Sequence, residues 1–518
     1  MSESPVVLEL KDLRVARGGK VELEPFSLAL HAGETVVLLG EAGSGKDALL
    51  RHLGGFAERG EEVTGQIRFG EDAFHPIARR ARVPPGTAYL PAAAAMVLDP
   101  RADAAGQLAR ILARRVSCPQ PAAREELRAT LARFEDAPSV ETLDAPVAAL
   151  APATVAFGLL AAATAAMPQL LLCDHPFADL SPLAAETLTR ALLGEQKRQS
   201  FAMIYAAREP HPVARLMART IVLRRGQVVE EGDAANLLAG QTHPYTQSLL
   251  KALPLDLTRP ARPAPRGEPL LQVQNLMLGE GKSARRRDAI AFELRRGAAM
   301  GLVGEPGSGR RRLLNAVLGL ERKPGRIVFD AVDLNLLSET MALRLRRRVA
   351  FVSSREGVLD SRMTLWDTVD EPLRAHLSLT RELAAGYRDS ALKRVGLASH
   401  NGRQIVATLS PFDQRRLQIA RAIVAAPLLV VVDEPLRGLD ALAQSTIRDL
   451  LAEFRVESQA GFLMLTSDFS VAAALCDDAM VFEGGRVVER GPIAALVQSP
   501  KEATTRALIG AARLRPAA

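Results

Sequence analysis

The sequence predicts an α/β protein built twice over: two tandem domains, each with a mainly parallel core sheet. Three observations predict it. Two glycine-rich loops, GEAGSGKDALL at 40–50 and GEPGSGRRRLL at 304–314, each follow an apolar run and open a helical pattern. Two further apolar runs end in aspartate, LLLCD at 170–174 and LVVVD at 429–433. Finally, the landmarks recur in order. LLLCDHPFADLS (170–181) matches LVVVDEPLRGLD (429–440), 433 less 174 being an offset of 259. LAPAT, starting at Leu150, and LSPFD, starting at Leu409, keep that offset, as do RRGQVVEEG (224–232) and EGGRVVERG (483–491). The glycine loops stand further apart, 304 less 40 being 264, so the first parts of the halves differ by a small insertion.

Each half reads alike from its start. Polar/apolar alternation in VVLELKDLRV predicts strands of a β-subdomain. A buried strand follows, ETVVLLG or AAMGLVG, and the glycine loop then opens a helix, KDALLRHL or RRLLNAVL. A helical subdomain comes next, and then the apolar strand ending in aspartate. The stretch VAFGLLAAATAAMPQLLLC (155–173) could be taken for a membrane span, but Pro168 and Gln169 interrupt it. It reads as a buried helix followed by a buried strand. The proline- and arginine-rich run LPLDLTRPARPAPRGEPL reads as an extended linker. The expected domains are therefore 1–252 and 270–518, joined by a linker over 253–269.

Composition is globular, with 48% hydrophobic and 24% charged residues. Aromatics are scarce at 4%, so the core must rest on Leu, Val and Ala. The net charge of +7 suits an anionic partner such as nucleotide or a membrane face, and equally an Arg-rich solvated surface. Nucleic acid is not expected as a partner. Cys118, Cys173 and Cys476 are far apart, imply neither a disulfide framework nor a metal site, and fit a reducing compartment. MSESPVVLEL has neither the basic nor the apolar region of a signal peptide.

The glycine loops carry the chemistry. In the phosphate-loop pattern G-x-x-x-x-G-K-[ST], backbone N–H groups close around phosphates, and the helix N-terminus adds partial positive charge. Lys reaches the β- and γ-phosphates, and the hydroxyl holds Mg²⁺. Gly40, Gly43, Ser44, Gly45 and Lys46 keep the first loop, but Asp47 replaces the hydroxyl. Gly304, Gly307, Ser308 and Gly309 keep the second frame, but Arg310 and Arg311 stand for Lys and Ser/Thr. An aspartate ending the later strand, Asp174 or Asp433, would bind the same metal, and a following Glu would orient attacking water. Glu434 is that residue in the second half, whereas His175 replaces it in the first.

These motifs in this order resemble the nucleotide-binding domains of ATP-binding cassette (ABC) transporters, over nearly the whole chain. GRIVFDAVDLNLLSETMALRLRRRVAFV (325–352), LDSRMTLWDTVDEPLRAHL (359–377) and GDAANLLAGQTHPYTQSLLKALP (232–254) look like the oligopeptide/dipeptide importer branch. The resemblance implies two ABC-type P-loop NTPase domains that pair within the chain. ATP and Mg²⁺ would be clamped between the phosphate loop of one half and the LSGGQ signature of the other. The first loop would face Leu409-Ser410-Pro411-Phe412-Asp413, where Ser410 survives but both glycines are gone. The second would face Leu150-Ala151-Pro152-Ala153-Thr154, without the serine. Pro152 and Pro411 suit a helix start and offer no N–H to nucleotide. The Q-loop position reads as Ala92 and Ser353, and the switch-histidine position as Ala207 and Ser467. Ser181 replaces the D-loop aspartate of the first half, while Asp440 keeps it in the second. At the adenine-stacking position stand Arg17 and, nearest to it in the second half, Glu280.

Two unit charges about 4 Å apart interact by roughly 4 kcal/mol at an effective dielectric of about 20. An Asp47 carboxylate beside a β-phosphate would thus oppose much of the roughly 8 kcal/mol of a micromolar ligand. If Asp47 instead ligates Mg²⁺, binding survives. Arg311, a fixed cation near the metal position, would neutralise phosphate without metal. A free imidazole titrates near neutrality, which makes His175 a candidate base, as is Glu434. Glu434 can also be there only because the strand-end turn still packs.

Two functions follow from the resemblance. One is the tandem ATP-binding subunit of a peptide-type importer, with weak or absent hydrolysis. It would be cytoplasmic and peripheral on the inner face of the membrane, with transmembrane permease subunits and a solute-binding protein as partners. The other is a pseudo-ATPase that serves as scaffold or regulatory subunit of an unknown protein complex. Tandem-cassette translation factors share the architecture but normally keep intact signatures and a longer charged linker.

Overall fold

The computed structural model describes residues 4–77, 83–92, 97–240, 243–253, 257, 267–278, 289–336, 340–341, 345, 347–355, 357–376 and 379–513. Most of the linker expected over 253–269 lies outside them, and so does Glu280. The chain divides into two compact units, Met1–Leu253 with Asp440–Leu442, and Pro254–Leu439 with Ala443–Arg513.

The first unit has two sheets. Strands β1 (Val6–Arg17), β2 (Lys20–His31), β4 (Glu61–Phe69) and β5 (His75–Pro76) form an antiparallel sheet in the order β2-β1-β4-β5. The second runs β10-β9-β3-β8-β7-β6, with β3 (Thr35–Leu39), β6 (Thr87–Leu90), β7 (Leu170–Asp174), β8 (Ala202–Ala207), β9 (Arg219–Arg224) and β10 (Gln227–Asp233). All its neighbours are parallel except β10 on β9.

Alternation along the strands decides which core each residue joins. Val36 and Leu38 of β3, Leu170 and Leu172 of β7, and Ala202 and Ile204 of β8 face the antiparallel sheet and helix α1 (Lys46–Leu53). Val37, Leu39, Leu171, Cys173, Met203 and Tyr205 face the helical side. That side holds α2 (Ala104–Val116), α3 (Gln120–Leu131), α4 (Pro152–Ala165), α5 (Pro182–Gln199) and α6 (Pro244–Lys251). Every residue of α4 from Val155 to Ala165 is buried, which is why its sequence looks membrane-like. The apolar stretch 155–173 is thus helix and then strand, as its sequence predicts. Among the described residues no helix is long and apolar enough to cross a membrane.

The second unit repeats the plan. Strands β11 (Pro269–Leu276), β12 (Ile290–Arg295), β14 (Arg326–Phe329) and β15 (Val332–Asp333) make the antiparallel sheet, in the order β12-β11-β14-β15. The larger sheet runs β16-β17-β18-β13-β19-β20. Its strands are β13 (Ala299–Val303), β16 (Val349–Ser353), β17 (Leu429–Asp433), β18 (Gly461–Thr466), β19 (Asp478–Glu483) and β20 (Arg486–Pro492). Its helices include α7 (Arg310–Val317), α8 (Leu365–His376), α9 (Arg381–Arg394) and α10 (Pro411–Ala425).

Candidate nucleotide sites

In both units the glycine loop joins the central strand to a helix start. Gly40, Gly43, Ser44 and Gly45 link β3 to α1, and Gly304, Gly307, Ser308 and Gly309 link β13 to α7. Gly45 and Gly309 cap these helices at φ 105° and 100°. A Cβ at Gly45 would lie 2.8 Å from the Glu22 carbonyl oxygen, and one at Gly309 2.7 Å from the Gly485 Cα, so only glycine fits. In the first loop the Glu41 N–H donates to the Tyr245 hydroxyl at 3.3 Å. Tyr245, in the first turn of α6, therefore steadies this loop.

The first site is compact and built around carboxylates. Lys46 is fully buried, and its Nζ donates to the Glu41 carbonyl at 2.7 Å and lies 3.4 Å from Ser44 Oγ. Burial pulls its pKa down to about 8, against the raising charge of Asp47 3.8 Å away. Asp47 Oδ1 stands 3.0 Å from His175 Nε2. Burial alone would raise the Asp47 pKa, but the His175 hydrogen bond and the Lys46 charge outweigh it, and the carboxyl is held well below its usual range. Burial pushes the His175 pKa down. Asp174 Oδ1 lies 3.7 Å from the same Nε2, and Asp174 Oδ2 accepts from the Tyr89 hydroxyl at 2.8 Å. The hydrogen bond to Asp174 and, above all, burial raise the Tyr89 pKa, so the phenol stays a donor.

The second site is already charge-paired. Arg311 Nη2 donates to Asp433 Oδ2 at 3.0 Å, and Arg355 Nε approaches the same oxygen at 3.5 Å. Glu434 Oε1 accepts from the Ser467 N–H at 2.9 Å and from Arg310 Nη2 at 3.4 Å, and Arg437 Nη2 forms an ion pair with it at 3.4 Å. Burial lowers the Arg310 pKa, against the pull of Glu434. His175 and Glu434 both adopt positive φ, 45° and 48°, so the turn after the aspartate is the same in both units.

Strand pairing corrects two sequence readings. Gly40 N–H donates to the Ala207 carbonyl and Gly304 N–H to that of Thr466, so Ala207 matches Thr466 and the partner of Ser467 is Arg208. Arg208 and Ser467 keep the 259-residue offset of the repeat. Leu90 pairs with Cys173 and Val352 with Val432. Pro91 therefore matches Ser353, and Ala92 matches Ser354, so Ala92 and Ser353 occupy successive positions. Ser353 is buried, and its N–H donates to Gln418 Oε1 at 2.7 Å.

The signature segments start helices, with Pro152 and Pro411 in the first turn of α4 and α10. Ser410 caps α10: its Oγ accepts from the Asp413 N–H at 3.1 Å and donates to Asp413 Oδ2 at 2.8 Å. Ser181 caps α5 by accepting from the Ala184 N–H at 3.1 Å. Arg17 is tied to Glu22 and Glu58 at the end of β1. Sequence reasoning missed Tyr89, Arg208 and Arg355, which belong to no loop motif and reach the sites only through the fold, and it passed over Arg437 within the strand-end landmark.

A family model described as ABC transporter matches residues 23–178 and 288–437. The chain belongs to the ABC transporter ATPase family and carries its cassette twice. The uncharacterized ABC transporter ATP-binding protein YejF of Escherichia coli (strain K12) is 31% identical over 93% of this chain and 94% of its own length. The peptidoglycan transport ATP-binding protein YejF of Agrobacterium fabrum is 29% identical, over 98% and 96%. The glutathione import ATP-binding protein GsiA of Escherichia coli (strain K12) is 27% identical, over 94% and 85%. Among solved structures, cbiO1 from Clostridium perfringens aligns with a TM-score of 0.41 and 25% identity, over 45% of this chain and 92% of that one.

The family binds ATP with Mg²⁺, and the two sites fit that pair differently. In the first, Asp47, Asp174 and His175 offer ligand atoms within 4.8 Å of one another, and Asp174 Oδ1 is buried without a hydrogen-bond partner. That donor set fits a divalent cation. In the second, the Arg311 guanidinium holds Asp433 Oδ2.

Proposed function

We propose that this chain is the tandem ATP-binding subunit of a peptide-type ABC importer, with weak or absent hydrolysis. Its two nucleotide-binding domains would be 1–252 and 270–518, joined by 253–269. It would work in the cytoplasm, peripheral to the inner face of the membrane, with transmembrane permease subunits and a solute-binding protein. Supporting this, relatives named for glutathione import and peptidoglycan transport align over more than nine-tenths of the chain. The first loop would be the better nucleotide binder, with Lys46 on phosphate and Asp47 and Asp174 on Mg²⁺. The observation that carries the asymmetry is the Arg311–Asp433 pair, which places a cation where the second site would need a metal. Calorimetry of the purified chain with ATP, in Mg²⁺ and in EDTA, tests this. Mg²⁺-dependent binding abolished by Lys46→Ala is expected, and Mg²⁺-indifferent binding that survives it would overturn the assignment. Failure to co-purify with an integral-membrane partner would overturn the transport role.

A second reading, a pseudo-ATPase serving as scaffold or regulatory subunit of another complex, is favoured by Glu434. The carboxylate oxygen of this candidate base already takes two donors and a further ion pair. Steady ATP turnover abolished by Glu434→Gln would sink that reading.

A further inference from the structure

We propose that Asp47, Asp174 and His175 form a binding site for a divalent transition cation that is filled without nucleotide. In the family pattern a hydroxyl and one aspartate share a metal carried in by the nucleotide. Here a hydroxyl and a glutamate are replaced by a carboxylate and an imidazole, and the fold brings both to the strand-end aspartate. The result is three side-chain ligands from one unit.

The geometry is that of a coordination shell. Ligands about 2.1 Å from a metal stand about 3.0 Å apart at right angles and about 3.4 Å apart at tetrahedral angles. His175 Nε2 is 3.0 Å from Asp47 Oδ1 and 3.7 Å from Asp174 Oδ1, and the three atoms lie within 4.8 Å of one another. The 3.0 Å pair already has the spacing of two ligands on one ion, and Asp174 Oδ1 must draw in to join them.

The supporting groups leave these atoms available. Tyr89 engages Asp174 Oδ2, so Oδ1 is left buried with no hydrogen-bond partner beside the imidazole. His175 is 2% exposed and sits in a left-handed turn, which aims Nε2 at both carboxylates. Lys46, 3.8 Å from Asp47, and Arg208, whose charge also bears on Asp47 and His175, offset the two carboxylates, so a dication would be held by direct ligation rather than by excess negative charge. An imidazole ligand selects against Mg²⁺ and Ca²⁺ and for cations such as Mn²⁺, Co²⁺ and Zn²⁺.

The test uses the full chain, stripped of metal and nucleotide, titrated with Mn²⁺ and followed by electron paramagnetic resonance. One bound ion per chain is expected, with nitrogen modulation in its spin-echo spectrum. Asp47→Ser and Asp174→Asn should each weaken binding at least about tenfold, the least expected for a lost ligand when outer-shell losses already reach that. His175→Gln should abolish the nitrogen modulation. Asp47→Ser restores the hydroxyl of the loop pattern, so it decides the matter even if another variant fails to fold. Wild-type affinity in Asp47→Ser, or Mn²⁺ uptake only once ATP is added, would overturn the proposal. Neither outcome depends on whether the chain serves a transporter.

Discussion

The pairing of Arg311 with Asp433 predicts that the second phosphate loop regains a metal-dependent ligand when its family residues are put back. The perturbation is Arg310→Lys with Arg311→Thr, in a Lys46→Ala background that silences the first loop. A dication on Asp433 would stand about 4 Å from the Arg311 guanidinium, a repulsion of about 8 kcal/mol at a dielectric near 20 and about 2 kcal/mol in water. The Arg311 side chain is 47% exposed while Asp433 is 8% exposed, so solvent screens one end of the pair and the lower part of that range applies. A gain of about 2–4 kcal/mol corresponds to about 30- to 1000-fold in affinity. Calorimetric ATP titrations in Mg²⁺ and in EDTA measure it. The double variant should bind more tightly in Mg²⁺ by at least the lower factor, and its parent should not. Equal binding in the two buffers would refute the view that these arginines keep metal out.

Glu434→Gln should change any ATP turnover by less than about twofold, whereas loss of a working base costs about 10²–10⁴; a steady-state phosphate-release assay decides. Lys46 has a folded pKa of about 8, below its ordinary 10.5. Its penalty is fully present below the folded value and is relieved as pH climbs to the unfolded one, because in that window the unfolded chain holds more protons. Against Lys46→Met, the wild type should therefore gain up to about 1.4 kcal/mol of stability per pH unit across the window, read from hydrogen exchange of first-unit amides. Gly402→Ala should cost about 1–3 kcal/mol by overpacking, as its Cβ would fall 1.9 Å from the Trp366 ring. Trp366 is the chain's one tryptophan, so its emission should shift in the same variant.

The repeated architecture was legible because each device has a local signature. Glycine loops need left-handed backbone, buried parallel strands need unbroken apolar runs, and both recur at a fixed offset. LLLCD and LVVVD reappear as β7 and β17. The site was legible in its loop residues and only partly beyond them. That Asp47 and His175 would meet could not be read from residues 128 apart in the chain; it follows from β7 lying two strands from β3, beside α1. Tyr89 enters the site from an edge strand whose sequence carries no motif. The switch position reads one residue early as Ala207, which ends β8; the hydrogen bond from Gly40 to its carbonyl and the repeat offset both move it to Arg208.

A pocket that supplies its own counter-charges has little to gain from a ligand. In the second unit both acidic residues of the strand end are satisfied by arginines of the same unit. Ligand-linked stabilisation grows with the logarithm of concentration over Kd, and it shrinks where binding must first break such pairs and Kd is raised. On heating in rising ATP and Mg²⁺, the first unit's transition should climb while the second's stays put. The chain would then carry its own thermometer: one cassette reporting the energy state of the cell, and its twin providing an unmoving zero.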